Sequence, residues 1–244
     1  MDTVPPVGPI PQSVPESGRG SVHQAWIRGG PVLSRLPRGR IESVQVHAIA
    51  SFGDSETLGF WTFGTGAWIT GLVELRLFPI EAMTALVPLL LVNSGVAQFV
   101  SGLFAFRRAN TVTASALCSF GAVNATRGAM VLLQAIGLLH AGGYAYRLQG
   151  CLMEAYAWFA FCLIIAAVKL NRVVLAMASC TCLAFLFGAL PYLADSVGHG
   201  APGVLGQVGG GFLVATGVCA YYGGMALTVN TAWQRAVLPL GGNA

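Results

Sequence analysis

The chain has 244 residues, of which 55% are hydrophobic and only 9% are charged. A soluble domain of this length carries about 25% charged residues, so the composition excludes an ordinary soluble protein. The formal net charge of +4 comes from basic residues in a tail and in short loops. A nucleic-acid-binding protein would gather them on one face. Long uncharged runs instead predict several membrane spans in a lipid bilayer.

Residues 1–50 differ in composition from the rest of the chain. Seven of the twelve prolines lie in the first 37 residues, and apolar periodicity is weak there. Such a segment cannot bury enough surface to offset the ordering of its backbone, so we predict a disordered, Pro- and Arg-rich cytoplasmic tail. We expect the membrane domain to occupy residues 51–238 and a short C-terminal tail to occupy residues 239–244.

The membrane domain is predicted to be all-α, because a free peptide group finds no hydrogen-bond partner in lipid. We expect six transmembrane helices, at 57–75, 83–106, 111–136, 150–170, 172–194 and 209–230. The stretch between the third and fourth helices is predicted to be a loop, and a partly re-entrant course remains open. Residues 195–208, rich in glycine, are predicted to form another loop.

The distribution of basic residues predicts the orientation in the membrane. If the N-terminus is inside, ten basic residues outside the spans lie on the cytoplasmic side and two, Arg76 and Arg147, on the external side. Cytoplasmic loops carry such an excess of arginine and lysine. We therefore expect both termini in the cytoplasm and the protein in the plasma membrane.

No sequence motif of an enzyme was found. The chain lacks G-x-S-x-G, H-E-x-x-H and the P-loop lysine, and its four histidines are scattered through the tail and loops. Its six cysteines lie in or beside apolar runs, where buried small side chains explain them better than a metal does. The prediction is a protein that is not an enzyme and has neither cofactor nor metal site.

Polar side chains inside the spans are costly in lipid and are expected to face a pore or a partner helix. We predict that a substrate path includes Asn93, Gln98, Ser119, Asn124, Arg127 and Glu154. Hydrogen bonds between helices are the alternative explanation for each of them. Glu154 is the only acidic residue well inside a predicted span, so we expect it to pair with Arg127 at the outer vestibule. A purely structural tie between two helices is an equal alternative.

Five short stretches together resemble one known family. They are Leu58-Gly59-Phe60-x-x-Phe63-Gly64, Gly95-x-Ala97-Gln98-x-x-x-Gly102-Leu103, Phe106-Arg107-Arg108-Ala109-Asn110-Thr111, Ser119-Phe120-Gly121 and Ala220-Tyr221-Tyr222. In this order they are similar to the acetate uptake transporter family, the succinate–acetate permeases of bacteria and their fungal relatives. The resemblance covers about residues 57–238, and the tail lies outside it.

The resemblance implies a homo-oligomer of six protomers, each with its own pore for acetate and similar small monocarboxylates. It also implies a constriction at Phe63, Phe120 and Thr181, together with the motif residues Leu58, Gly59, Gly64, Gly95, Gly102, Asn110, Thr111 and Gly121. The chain departs from the family where asparagine–proline–alanine–proline is replaced by Asp54-Ser55-Glu56-Thr57.

Three functions follow from this sequence. The leading prediction is a channel or proton-coupled transporter for small carboxylates. A second keeps the fold but carries ammonia or another neutral or cationic solute, because Asp54 and Glu56 at the pore entrance would repel carboxylates. A third is a membrane scaffold that transports nothing and places its basic tail on anionic lipid.

Overall fold

The computed structural model describes residues 53–79, 81–139, 144–193 and 203–242. The predicted tail over 1–50 and its disorder lie outside these residues. Helices make up nearly all of the described chain, which confirms the all-helical prediction there. They are α1 (Ser55–Glu74), α2 (Ala82–Ala85), a π-helical segment (Leu89–Ala97), α3 (Gln98–Arg107), α4 (Thr111–Ala135), α5 (Tyr144–Ala167), α6 (Arg172–Leu193) and α7 (Val204–Trp233).

Within the described residues, five helical segments are long and apolar enough to cross a membrane. They are Leu89–Arg107, Thr111–Ala135, Tyr144–Ala167, Arg172–Leu193 and Val204–Trp233. The first of these segments consists of the π-helical segment and α3, which follow each other without a break. Helix α1 has 20 residues but is less apolar, because it contains four threonines, four glycines and two glutamates. The chain is therefore a multi-pass membrane protein.

Several predicted boundaries need correction. The second span does not begin at residue 83 as a regular helix: α2 is a single turn, and Pro88 precedes the π-helical segment. Helix α5 begins at Tyr144 rather than 150, and α7 begins at Val204, inside the loop predicted over 195–208. Residues 140–143, in the first predicted loop, lie outside the described chain, as do residues 194–202, the last residue of the fifth predicted span and part of the second predicted loop.

The long helices pack as antiparallel neighbours. Helix α1 packs on α7 and on the segment formed by the π-helix and α3, which in turn packs on α4. Helix α7 packs on α6, and α6 packs on α5. The buried core lies between these helices and includes Phe60, Phe63, Phe120, Met153 and Phe185.

Small residues bring α1 and α7 close together. A Cβ atom on Gly71 would lie 2.8 Å from the Gly210 carbonyl oxygen, and one on Gly217 would lie 2.9 Å from Trp68 Cβ. Membrane helices use glycine in this way to let two backbones approach each other. The contact positions α1 beside the core.

The residues after α7 fold back onto the bundle. We call residues 237–242 the C-terminal strap. The Asn230 side chain accepts hydrogen bonds from the backbone N–H groups of Val237 (2.7 Å) and Leu238 (2.8 Å). The strap also accepts from the first N–H groups of α6, because Arg172 N donates to Gly241 O at 3.2 Å. These N–H groups have no partner within a helix, so the strap caps α6.

Candidate substrate pathway

The three residues predicted to form the constriction line one cavity. The rings of Phe63 and Phe120 are stacked with their centroids 5.2 Å apart. Thr181 is buried on α6, where its hydroxyl donates to the Met177 carbonyl oxygen at 2.7 Å. Phe60, Leu117, Val174 and Met177 add further apolar walls to this cavity. We call it the neck cavity.

Phe120 is the centre of an aromatic cluster that joins α4 to α5 and α6. Its ring centroid lies 5.9 Å from that of Phe185 and 5.5 Å from that of Phe159. Tyr156 completes the cluster, 6.1 Å from Phe120. Aromatic rings at such distances prefer offset-stacked or edge-to-face arrangements, which stabilise the cluster. The cluster holds Phe120 against α5 and α6.

Gln98 places an unused hydrogen-bond donor beside the neck cavity. The residue is fully buried and lines the cavity next to Phe63 and Phe120. Its Oε1 accepts a hydrogen bond from Asn124 Nδ2 at 3.3 Å, whereas its Nε2 has no partner among the described residues. A buried donor without a partner costs about 1–3 kcal/mol. A ligand oxygen in the cavity would remove this cost.

Ser94 and Asn124 hold this amide in position. Asn124 Nδ2 also donates to the Ser94 carbonyl oxygen at 3.4 Å, and the Ser94 hydroxyl donates to the Thr62 carbonyl oxygen at 3.1 Å. Ser94 belongs to the π-helical segment. Such segments occur frequently at functional sites. Asn124 therefore makes hydrogen bonds between helices, as the alternative explanation expected. The Nε2 group of Gln98 is still available to a solute.

A second, more polar cavity lies where α1, α4 and α6 begin. We call it the mouth. It is lined by Glu56, Asn110, Thr113 and Asn171, together with Phe60, Leu170, Val173, Val174, Gly223, Leu227 and Leu240 of the strap. Because Phe60, Thr113, Leu170 and Val174 also line the neck cavity, the two cavities share walls and adjoin each other.

The two carboxylates predicted at the entrance have different surroundings. Asp54 caps α1 by accepting from Glu56 N at 3.0 Å, and it forms an ion pair with Arg108 at 2.6 Å. Glu56 accepts a hydrogen bond from Asn110 Nδ2 at 2.5 Å and has no ion pair within the described chain. The repulsion predicted for Asp54 is therefore offset by Arg108.

The predicted pair between Arg127 and Glu154 is wrong. Arg127 NH2 instead lies 2.8 Å from Oε1 of Glu74, and both side chains are at least nine-tenths buried. Glu74 is the last residue of α1. It lies next to the end of the span predicted over 57–75, and the sequence analysis considered only acidic residues well inside a span. Glu154 is exposed on α5, because Met153 and Ala157 occupy the buried face of that helix.

The remaining predicted path residues do not line the neck cavity. Ser119 is half-buried beside Phe120. Asn93 lies in the π-helical segment, and its Nδ2 is buried without a partner among the described residues. Thr216 was missed by the sequence analysis, although its hydroxyl lies 3.4 Å from that of Thr181. A threonine among the glycines and apolar residues of α7 gives no signal by which to find it.

The motif glycines act as packing positions. A Cβ atom on Gly59 would lie 2.4 Å from Leu117, one on Gly102 2.5 Å from Cys118, and one on Gly121 2.8 Å from Phe99 N. Gly95 is similarly close to Ala125, and Gly64 to Ala220. Asn110 caps α4 by accepting from Thr113 N, whereas Thr111 and Leu58 are exposed.

Comparisons with known proteins agree with this architecture. The fold resembles the structure of the bacterial acetate channel SatP, with a TM-score of 0.70 and 22% sequence identity; the match covers 78% of this chain and 99% of the channel. No sequence among the curated proteins matches this chain. A sequence profile of the GPR1/FUN34/yaaH family matches residues 39–240, which include every described helix. The chain therefore belongs to the GPR1/FUN34/yaaH family, and the family resemblance found in its motifs is confirmed.

Proposed function

We propose that this protein conducts acetate and similar small monocarboxylic acids across the membrane through the mouth and the neck cavity. The observation that supports this best is the buried amide of Gln98, whose Nε2 is unpaired at the wall of an otherwise apolar cavity. An apolar constriction removes water from a solute, and a fixed donor compensates for part of that loss. The match to an acetate channel supports the same solute class.

The path runs from the mouth to the ion pair at the opposite end. On α1 the order along the helix is Glu56, Phe63 and Glu74, and on α4 it is Asn110, Phe120 and Arg127. At 1.5 Å per residue, Arg127 lies about 10 Å beyond Phe120. A solute thus passes from a polar mouth through the aromatic neck toward Arg127, which draws carboxylates to that end.

The proposal includes a membrane topology. Helix α1 is about 30 Å long, enough for the hydrocarbon core, and packs antiparallel to α7. We infer that it is the sixth span, with both termini and the mouth cytoplasmic in the plasma membrane. Reporters fused before Met1 and after Ala244 are expected to be cytoplasmic. External accessibility of either one contradicts this topology.

The assembly is part of the proposal as well. The family resemblance implies a homo-oligomer of six protomers, each with its own path. Native mass spectrometry of the detergent-solubilised protein is expected to give a mass of six chains. A monomer that still conducts acetate would reject the assembly without affecting the path.

Uptake into liposomes tests the function directly. Reconstituted protein is expected to accelerate entry of labelled acetate relative to empty liposomes, with and without a pH gradient. A gradient-dependent rate indicates proton coupling, and a gradient-independent rate indicates a channel. The non-transporting scaffold is supported instead if entry equals that of empty liposomes.

The neck has its own test. Phe63→Ala removes one of two stacked rings and is expected to increase the flux of solutes larger than acetate, such as butyrate, relative to acetate. Trp158→Ala is the matched control, because it truncates an aromatic side chain that is exposed on α5. Unchanged relative fluxes in Phe63→Ala would remove Phe63 from the constriction.

One observation favours the alternative solute class. Glu56 lines the mouth without an ion pair among the described residues, and a carboxylate there favours neutral or cationic solutes. Competition with ammonium and with acetamide in the same liposomes separates this alternative from acetate transport.

A further inference from the structure

Glu56 differs from every other carboxylate described in the helical bundle. Asp54 and Glu74 each form an ion pair, with Arg108 and Arg127. Glu154 is exposed on the outside of α5, and Glu81 is exposed beside α2. Glu56 alone among the described residues is a carboxylate that lines a cavity without an ion pair.

The surroundings of Glu56 fix the position of its carboxyl group at the mouth. Its Oε1 accepts from Asn110 Nδ2, which fixes the carboxyl next to the cap of α4. Asp54 and Arg108 are the charged residues beside it, and they form an ion pair with each other. Arg108 therefore forms its ion pair with Asp54 and not with Glu56.

The other residues that line the mouth are uncharged. Asn171, which precedes α6, lines the mouth, and its side-chain Oδ1 accepts a hydrogen bond from Val174 N at 2.9 Å. Helix α7 contributes Gly223 and Leu227, and the strap contributes Leu240. Arg172 begins α6, but the carbons of its side chain lie against Gly241 of the strap.

From this arrangement we propose that Glu56 is a specificity-determining residue, which makes the mouth admit small carboxylic acids in their neutral, protonated form and disfavour the carboxylate anion. The inference rests on the proposed function, because it names the form in which the solute passes. An anion entering the mouth approaches the Glu56 carboxylate, whereas a neutral acid or amide does not experience this repulsion and can exchange hydrogen bonds with Asn110 and Thr113.

The size of the effect follows from the distance. Two like charges a few ångströms apart near a protein surface repel each other strongly enough to change a rate by at least about tenfold. An amide in place of the carboxylate preserves shape and removes the charge. Glu56→Gln is therefore expected to raise the flux of acetate at neutral pH about tenfold relative to the flux of acetamide.

The experiment measures labelled acetate and labelled acetamide in parallel, in liposomes at one neutral pH, with empty liposomes subtracted. Acetamide has nearly the same shape as acetate and carries no charge. Glu154→Gln is the matched control, because it makes the same substitution on the outside of the bundle. Its ratio of acetate to acetamide flux is expected to equal that of the unmodified protein.

Two further variants guard against a misfolded mutant. Glu56→Ala also removes the charge and is expected to raise the ratio, whereas Glu56→Asp retains the charge and is expected to keep the ratio low. An unchanged ratio in Glu56→Gln and Glu56→Ala overturns the inference while leaving the proposed function intact. If neither the unmodified protein nor either variant conducts acetate, both are rejected. If only the charge-free variants conduct acetate, the inference is supported.

Discussion

The two ends of the proposed path each contain an ion pair between α1 and the α3–α4 region, but the two pairs have different surroundings. At the mouth, Asp54 and Arg108 lie 2.6 Å apart, with 22% and 33% of their side chains exposed. At the opposite end, Glu74 and Arg127 lie 2.8 Å apart, with 10% and 7% exposed. Similar distances thus accompany different degrees of burial.

Burial determines what each pair contributes. An exposed pair is screened by solvent and contributes about 0–1 kcal/mol. Removing one member of a buried pair leaves an isolated charge and costs about 3–5 kcal/mol. The mouth can therefore tolerate changes of charge, whereas the opposite end depends on its pair for stability. A residue at the mouth can therefore select solutes by its charge without a large effect on the stability of the protein.

The largest effect is expected at the buried pair. Glu74→Gln removes the partner of Arg127 and leaves a buried guanidinium without a counter-charge. We expect the free energy of unfolding in detergent to fall by about 3 kcal/mol, measured by denaturant titration. The same substitution at the exposed Glu154 is expected to change it by less than about 0.5 kcal/mol.

The double variant separates pairing from general damage. Adding Arg127→Met to Glu74→Gln removes the isolated charge, so most of the lost stability is expected to return. A double variant that is no more stable than Glu74→Gln would contradict the pairing. If it is stable but conducts acetate normally, Arg127 is a structural residue and has no part in drawing carboxylates to this end.

The C-terminal strap gives the mouth a second source of stability. Asn230→Ala removes two hydrogen bonds accepted from the strap and one donated to the Leu238 carbonyl oxygen. At about 0.5–1.5 kcal/mol each, we expect a loss of about 2 kcal/mol in the same titration. Asn93→Ala is the control, because it removes an asparagine from another element, the π-helical segment. A similar loss in both variants would deny the strap a specific role.

Gln98 lies between the two ends, and its removal is expected to affect flux more than stability. Gln98→Leu replaces the unpaired donor by an apolar group of similar size. One hydrogen bond to a charged or polar solute corresponds to about 1.4 kcal/mol, or a tenfold loss of acetate flux. Size-exclusion chromatography checks that the protein still assembles. Loss of assembly would favour a helix–helix role for Gln98.

The helices were predicted from the sequence for a physical reason, whereas the residues of the neck came from the family resemblance. Apolar runs and motif spacing determine which segments enter lipid, and the aligned motifs place Phe63, Phe120 and Gln98 on helices that the structure brings together. Pairing between distant helices depends on their rotation, which a nearly uniform apolar sequence does not specify. Arg127 was therefore assigned to Glu154 instead of Glu74. The π-helical segment and the strap depend on tertiary contacts and were missed for the same reason.

The smallest effect is expected at the exposed pair. Arg108→Gln breaks the contact with Asp54 but leaves Asp54 accepting from Glu56 N at the cap of α1. We therefore expect a loss of at most about 1 kcal/mol in the free energy of unfolding. Asp54→Ala removes the cap as well and is expected to cost about 1 kcal/mol more.

In the Arg108→Gln variant the charge of Asp54 is no longer offset, so the negative potential beside Glu56 increases. The flux of acetate relative to acetamide is expected to fall although stability hardly changes. A large loss of stability with an unchanged flux ratio would show that the Asp54–Arg108 pair is as important for stability as the buried Glu74–Arg127 pair. The proposed difference between the two ends of the path would then be wrong.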